Sequence, residues 1–139
     1  MQTANSLVFR CITAARDQAR VRAFPLSILS VGRDRELLRQ REEAIRSRSD
    51  LPVRSMTPEE AESLTRSPKG YVWIFCASIE LSRMVYLACS VRRYSRESRL
   101  VLDGARKVGF ERSLFHRIVR AEDPEETLLD AVSCLAVAA

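Results

Sequence analysis

Apolar residues along the chain gather into short continuous runs, separated by segments in which they recur every three or four positions. The runs are Leu26 to Val31, Val72 to Ala77, Leu100 to Leu102 and Phe115 to Val119, with a fainter one at Leu51 to Met56. Runs of this length read as strands, and continuous rather than alternating apolar character marks strands covered on both faces. Tyr71-Val72-Trp73-Ile74-Phe75-Cys76-Ala77 is the clearest and belongs in mid-sheet. Pro52 near the start of the faintest run suits an edge position, where a missing backbone donor costs little.

The intervening segments carry helical spacing. After Gly32-Arg33-Asp34, a charged stretch holds Leu37, Leu38, Ala44 and Ile45 on one stripe. Thr57, Pro58 and Glu60 form a capping box with proline at the first helical position, opening a short helix that ends by Pro68. Leu81, Met84, Val85, Ala88 and Val91 outline a third helix, which fades between Arg92 and Ser98. Asp123-Pro124-Glu125-Glu126 opens a last one, with Leu128, Leu129, Val132 and Leu135 facing inward. Five strands alternating with about five helices predict an α/β domain with a parallel sheet, spanning residues 25–139. Residues 1–24 carry Leu7, Val8, Cys11, Ile12 and Ala15 at spacings that fit one amphipathic face, and read as an N-terminal extension, helical or loosely ordered.

Composition narrows the class. The 139 residues are 46% hydrophobic and 29% charged, which suits one folded domain and excludes wholesale disorder. No apolar run reaches membrane-spanning length, and the Arg-rich start lacks the apolar core and cleavage site of a secretory signal, so the reading is a cytoplasmic protein with no membrane partner. Cys11, Cys76, Cys89 and Cys134 are scattered and the only histidine is His116, so neither a zinc site nor a disulfide framework is expected, nor any cofactor. The net charge of +5 is almost wholly arginine, the only lysines being Lys69 and Lys107. Arginines spread along the chain read mainly as a solvated surface, with denser clusters at Arg10 to Arg22 and at Arg92-Arg93-Arg96-Arg99. The turn Ser67 to Gly70 lacks the glycine spacing of a phosphate-binding loop.

Several strings fall in one order: Ser27-Ile28-Leu29-Ser30-Val31-Gly32-Arg33-Asp34, the run Tyr71 to Glu80, Leu100-Val101-Leu102-Asp103-Gly104-Ala105, and Ile118-Val119-Arg120 leading into Asp123-Pro124-Glu125-Glu126-Thr127-Leu128-Leu129. Over residues 26–137 this order resembles the response-regulator receiver domain of two-component signalling. The resemblance implies a CheY-like, flavodoxin-like three-layer fold with a five-stranded parallel sheet of order 2-1-3-4-5. The stretch from Asp103 to Arg120 is short for that family, leaving only Arg106 to Leu114 for the helix before the last strand, so one turn or an irregular segment is expected there.

The family's chemistry does not carry over. Receivers end their first strand in acidic residues that hold magnesium, their third in a phosphoaccepting aspartate, their fourth in Thr or Ser and their fifth in Lys. Here Gly32 and Arg33 stand at the acidic pair, with Asp34 one place beyond; Cys76 stands at the acceptor, Asp103 at the Thr/Ser position and Arg120 at the Lys position, while Glu80 replaces a nearby proline. Magnesium needs hard oxygen ligands, and Arg33 would bring positive charge to its place. Without the metal, nothing offsets charge developing on a transferred phosphoryl group. The chain is therefore read as a degenerate receiver and not an enzyme, with Gly32, Arg33, Asp34, Cys76, Asp103 and Arg120 lining what remains of the pocket. One expectation is an ion-paired plug in which Asp103 bridges Arg33 and Arg120; the alternative is that these are solvated loop ends that never meet. Cys76 is read as a small buried hydrophobe rather than a redox thiol, with Cys89 and Cys134 the same. Trp73 and the Leu81 to Val91 stripe read as core, and His116 as structural.

Two functions remain. One is a phosphorylation-independent signalling module acting through protein contact with a sensor kinase, a regulator, an output protein or a second copy of itself. The other is a basic module that binds nucleic acid or an acidic partner.

Overall fold

The computed structural model describes residues 24–106 and 109–136; the expected N-terminal extension lies outside them, Phe24 aside. In chain order the elements are β1 (Ile28–Val31), α1 (Arg35–Arg46), β2 (Val53–Met56), α2 (Pro58–Leu64), β3 (Val72–Cys76), α3 (Leu81–Tyr94), β4 (Arg99–Ala105), a 3-10 turn (Phe110–Leu114), β5 (Arg117–Arg120) and α4 (Glu125–Ala136). The five strands form one all-parallel sheet of order β2-β1-β3-β4-β5, a flavodoxin-like α/β arrangement. The β4–β5 connection holds the expected short segment, a 3-10 turn in place of a helix.

Strand alternation divides the core into two layers. Leu29, Val31, Trp73, Phe75, Leu100 and Leu102 point to one face, where they meet Ala61 of α2, Met84, Leu87, Ala88 and Val91 of α3, and Phe115. Ile28, Val72, Ile74, Val101 and Val119 point to the other, against Ile45 of α1 and Leu128, Leu129, Val132 and Leu135 of α4. Every residue from Val72 to Phe75 is buried, so the continuous apolar run of β3 is the signature of a strand covered twice. Trp73 stacks on Phe75 at a centroid distance of 5.6 Å, and Phe115 meets Phe75 edge-on, confirming Trp73 as core.

Local sequence fixes the helix starts. Thr57 accepts from the Glu60 backbone N–H while Glu60 accepts from that of Thr57, the full capping box, with Pro58 in the first turn. Asp34 caps α1. The Asp123 carboxylate accepts the Arg120 backbone N–H at 2.8 Å, closing the β5–α4 turn. In α3 the inward stripe is Met84, Leu87, Ala88 and Val91, leaving Leu81 49% exposed and Val85 half-buried. Cys89 and Cys134 are exposed rather than buried, because Cys89 shares the outer stripe of α3 with Tyr86 and Arg93, and Cys134 lies on the outer side of α4. Among the described residues no helix is long and apolar enough to cross a membrane.

Candidate functional site

Ligands of open α/β sheets bind outside the carboxyl ends of the strands. There the molecule has a groove of about 670 Å³, lined among others by Cys76, Ile79, Leu81, Met84, Asp103 and Gly104. Its setting is mostly apolar, and the Asp103 carboxylate on its wall is already engaged.

Gly32 follows β1 at a close approach of backbone to side chains. A Cβ there would lie 3.2 Å from the Cβ of Cys76 and 3.2 Å from Cδ2 of Leu38, so a larger side chain has no room without displacing one of them. Arg33 does not turn to Asp103. Its guanidinium makes a two-pronged contact with Glu80, Nε to Oε1 at 2.6 Å and Nη2 to Oε2 at 2.9 Å, and a second with Glu59, at 3.0 and 2.9 Å. Arg33 thereby ties the β1–α1 loop to the first turn of α2 and to the residue before α3. Its hydrogen bonds pull the Glu80 carboxyl down to about 2 and lower that of Glu59. Asp34 spends its carboxylate on the N–H groups of Glu36 and Leu37, at 3.1 and 3.2 Å.

Cys76 ends β3 half-buried, with Sγ 3.1 Å from Oγ of Ser78. Its neighbour in register on β4 is Asp103, which is only 4% exposed. The Asp103 carboxylate accepts from Nε of Arg41 on α1 at 2.9 Å, and Arg41 also lies 3.6 Å from Glu125 at the start of α4. Burial pushes the Asp103 carboxyl up, against the pull of the Arg41 charge, with Glu125 adding to the rise.

The expected plug of Arg33, Asp103 and Arg120 is therefore not formed, and strand parity explains why. Asp103 points to the face of α1 and α4, in register with Val119 on β5. A bulge at Gly104, whose φ of +84° suits glycine, then pairs Ala105 with Arg120, one residue further and on the opposite face. Arg120 instead lines the outer edge of β5 with Arg112, His116 and Arg117. Arg33, Asp34, Cys76 and Asp103 do converge on the strand ends, but in separate small contacts.

Sequence reasoning missed Arg41, Glu59 and Glu125. Arg41 carried a signal, since it stands three residues after Leu38 and four before Ile45, in the middle of the apolar stripe of α1. A charge in that place requires a partner beneath it. Magnesium, implied by the receiver resemblance, does not fit these residues: Gly32 offers no oxygen, Arg33 is a cation, the carboxylate of Asp34 is bound to helix N–H groups, and that of Asp103 to a guanidinium. No protein-family model matches the chain, and none of the curated proteins matches its sequence.

Proposed function

We propose that the chain is a receiver-like signalling module that does not take part in phosphotransfer and acts through contact with a protein partner. The observation that carries this reading is that the strand-end carboxylates are engaged by the chain's own groups, above all in the buried Asp103–Arg41 pair on a sheet of order 2-1-3-4-5. In a working receiver the equivalent groups are held free for metal and phosphate; here the carboxylates of Asp34 and Asp103 are bound in place. An arrangement that spends its polar groups internally has one resting state, and a fixed state suits a docking role. The two-pronged Arg33 contacts join the β1–α1 loop to α2 and to the start of α3.

Incubation with a small-molecule phosphodonor and magnesium, read by intact mass, is expected to leave the mass unchanged. Stoichiometric addition of one phosphoryl group would overturn the reading.

A second reading, binding of nucleic acid or an acidic partner, draws on the segregation of charge around the basic cluster at Arg92-Arg93-Arg96-Arg99. Residues 92–120 hold nine Lys and Arg against three Asp and Glu, and residues 121–139 hold five acids and no base. Arg33, Arg39, Arg41, Arg46, Arg48, Arg66 and Arg83 are ion-paired. Among the described residues, Arg92, Arg99, Arg112, Arg117 and Arg120 form no ion pair, and neither do Arg35 and Arg54 outside this stretch. Affinity for DNA that falls steeply with salt would favour this second reading.

A further inference from the structure

The outer edge of β5 carries a local conflict that a ligand would resolve. His116 stands between the 3-10 turn and β5, and its Nδ1 accepts the backbone N–H of Leu100 at 3.0 Å while the main-chain N–H of His116 donates to the Leu100 carbonyl at 2.8 Å. A main-chain N–H can only donate, so this contact fixes the tautomer: the lone pair is on Nδ1 and the proton on Nε2. Yet Nη1 of Arg92, on α3, lies 3.1 Å from Nε2. A neutral imidazole has one lone pair and it is already used, so two donors face each other with no acceptor between them. The imidazole stays neutral here, because burial and the charges of Arg92, Arg99 and Arg117 push it down to about 4.

The surroundings repeat the imbalance. A groove of about 320 Å³ beside the ring is lined by Arg112, Arg117 and Arg120, with Phe115 and Ile118 as its apolar wall. Arg117 makes only neutral contacts, to the His116 carbonyl at 3.2 Å and to Sγ of Cys134 at 3.9 Å. Guanidinium groups and an N–H donor, with no carboxylate among the described residues that line the groove, are the kind of donors that planar and tetrahedral oxyanions need.

We propose that the His116 end of this groove, where Arg92 of α3 reaches the ring, is a phosphate-binding site, in which one oxygen of a phosphate oxyanion accepts from both Nε2 of His116 and the Arg92 guanidinium while Arg117 and its neighbours balance the remaining charge. The ligand is either free inorganic phosphate or the phosphate group of a small monoester. The site lies along β5 and is independent of the reading given to the strand-end groove.

His116 is the only histidine of the chain, so its ring signals report the site without assignment work. Titration with inorganic phosphate, and separately with glycerol phosphate, followed by NMR of the imidazole, is expected to give a saturable shift of the Nε2–H signal that chloride at the same ionic strength does not give. The Arg92→Gln variant, which leaves the His116–Leu100 contacts in place, is expected to weaken binding about tenfold, the worth of one charge-assisted hydrogen bond; Arg117→Gln, tested in parallel, is expected to weaken it too. Tighter binding of the monoester assigns the site to an esterified phosphate, and equal or weaker binding to the free ion. An equal response to chloride, no response to either phosphate, or an unchanged midpoint in both variants would overturn the proposal.

Discussion

Replacing Arg41 by Met keeps the length of the side chain on α1 but removes the charge opposite Asp103. Asp103 is then a buried carboxylate with no cation, in a position 4% exposed. Breaking one side of a buried pair costs about 3–5 kcal/mol, and since the Arg41 side chain is itself 21% exposed and water can reach the gap, the lower figure of about 3 kcal/mol applies at pH 7. For a chain of this size that corresponds to a fall in Tm of roughly 10 °C. The pH dependence identifies the cause. Burial already raises the Asp103 carboxyl above its ordinary value in the folded protein, so the folded state takes up a proton before the unfolded one. Without Arg41 the rise is larger. As pH falls from 7 through the folded value, the variant protonates Asp103 and regains stability relative to the parent, so the deficit shrinks towards acid pH. Urea unfolding at pH 7 and pH 5 measures both, and the double replacement Arg41→Met with Asp103→Leu is expected to recover most of the loss, since an apolar pair leaves no buried charge. A loss under about 0.5 kcal/mol, the size of an ordinary surface change, or a deficit that does not change with pH, would refute this account of Asp103.

Other outcomes follow from the same contacts. Gly32→Asp, which restores an acidic residue where receivers have one, is expected to cost about 1–3 kcal/mol by crowding Cys76 and Leu38, with no rescue of Tm by millimolar magnesium. Gly104→Ala meets no neighbouring atom but must hold φ at +84°, so denaturant unfolding is expected to show a loss of about 1 kcal/mol from backbone strain alone. In Arg33→Ala, carboxyl NMR is expected to show Glu80 moving up from about 2 towards the ordinary carboxylate range. A lowered folded value stabilises above the unfolded one, so the stability difference between parent and Arg33→Ala is present at neutral pH and disappears as pH falls from about 4.5 to 2.

Much of the fold was legible because each cue had a local physical cause. The unbroken apolar run of β3 needs cover on both faces, and the Thr57-Pro58-x-Glu60 signature closes its own hydrogen bonds without help from distant chain. The short interval between Asp103 and Arg120 left room for only a turn, and a 3-10 turn fills it. The site was less legible because ion pairs between distant segments leave no periodic trace. That Asp103 would stand at a strand end was readable; that it is buried, and that its partner is Arg41 rather than Arg33, depends on which face of the sheet it points to. A one-residue shift reverses that face, and the bulge at Gly104 moves Arg120 out of register with Asp103. Exposed Cys89 shows the same sensitivity, since one position along α3 separates it from buried Ala88.

The central claim, that the strand-end carboxylates are already engaged by the chain's own groups, is tested most directly by backbone NMR of the chain titrated with magnesium and then with beryllofluoride, a mimic of a bound phosphoryl group. The account predicts no saturable change at Gly32, Cys76, Ser78 or Asp103 at any concentration of either. Saturable shifts at those residues would contradict it, and would mean that Arg41 and Arg33 release their carboxylates to admit a metal.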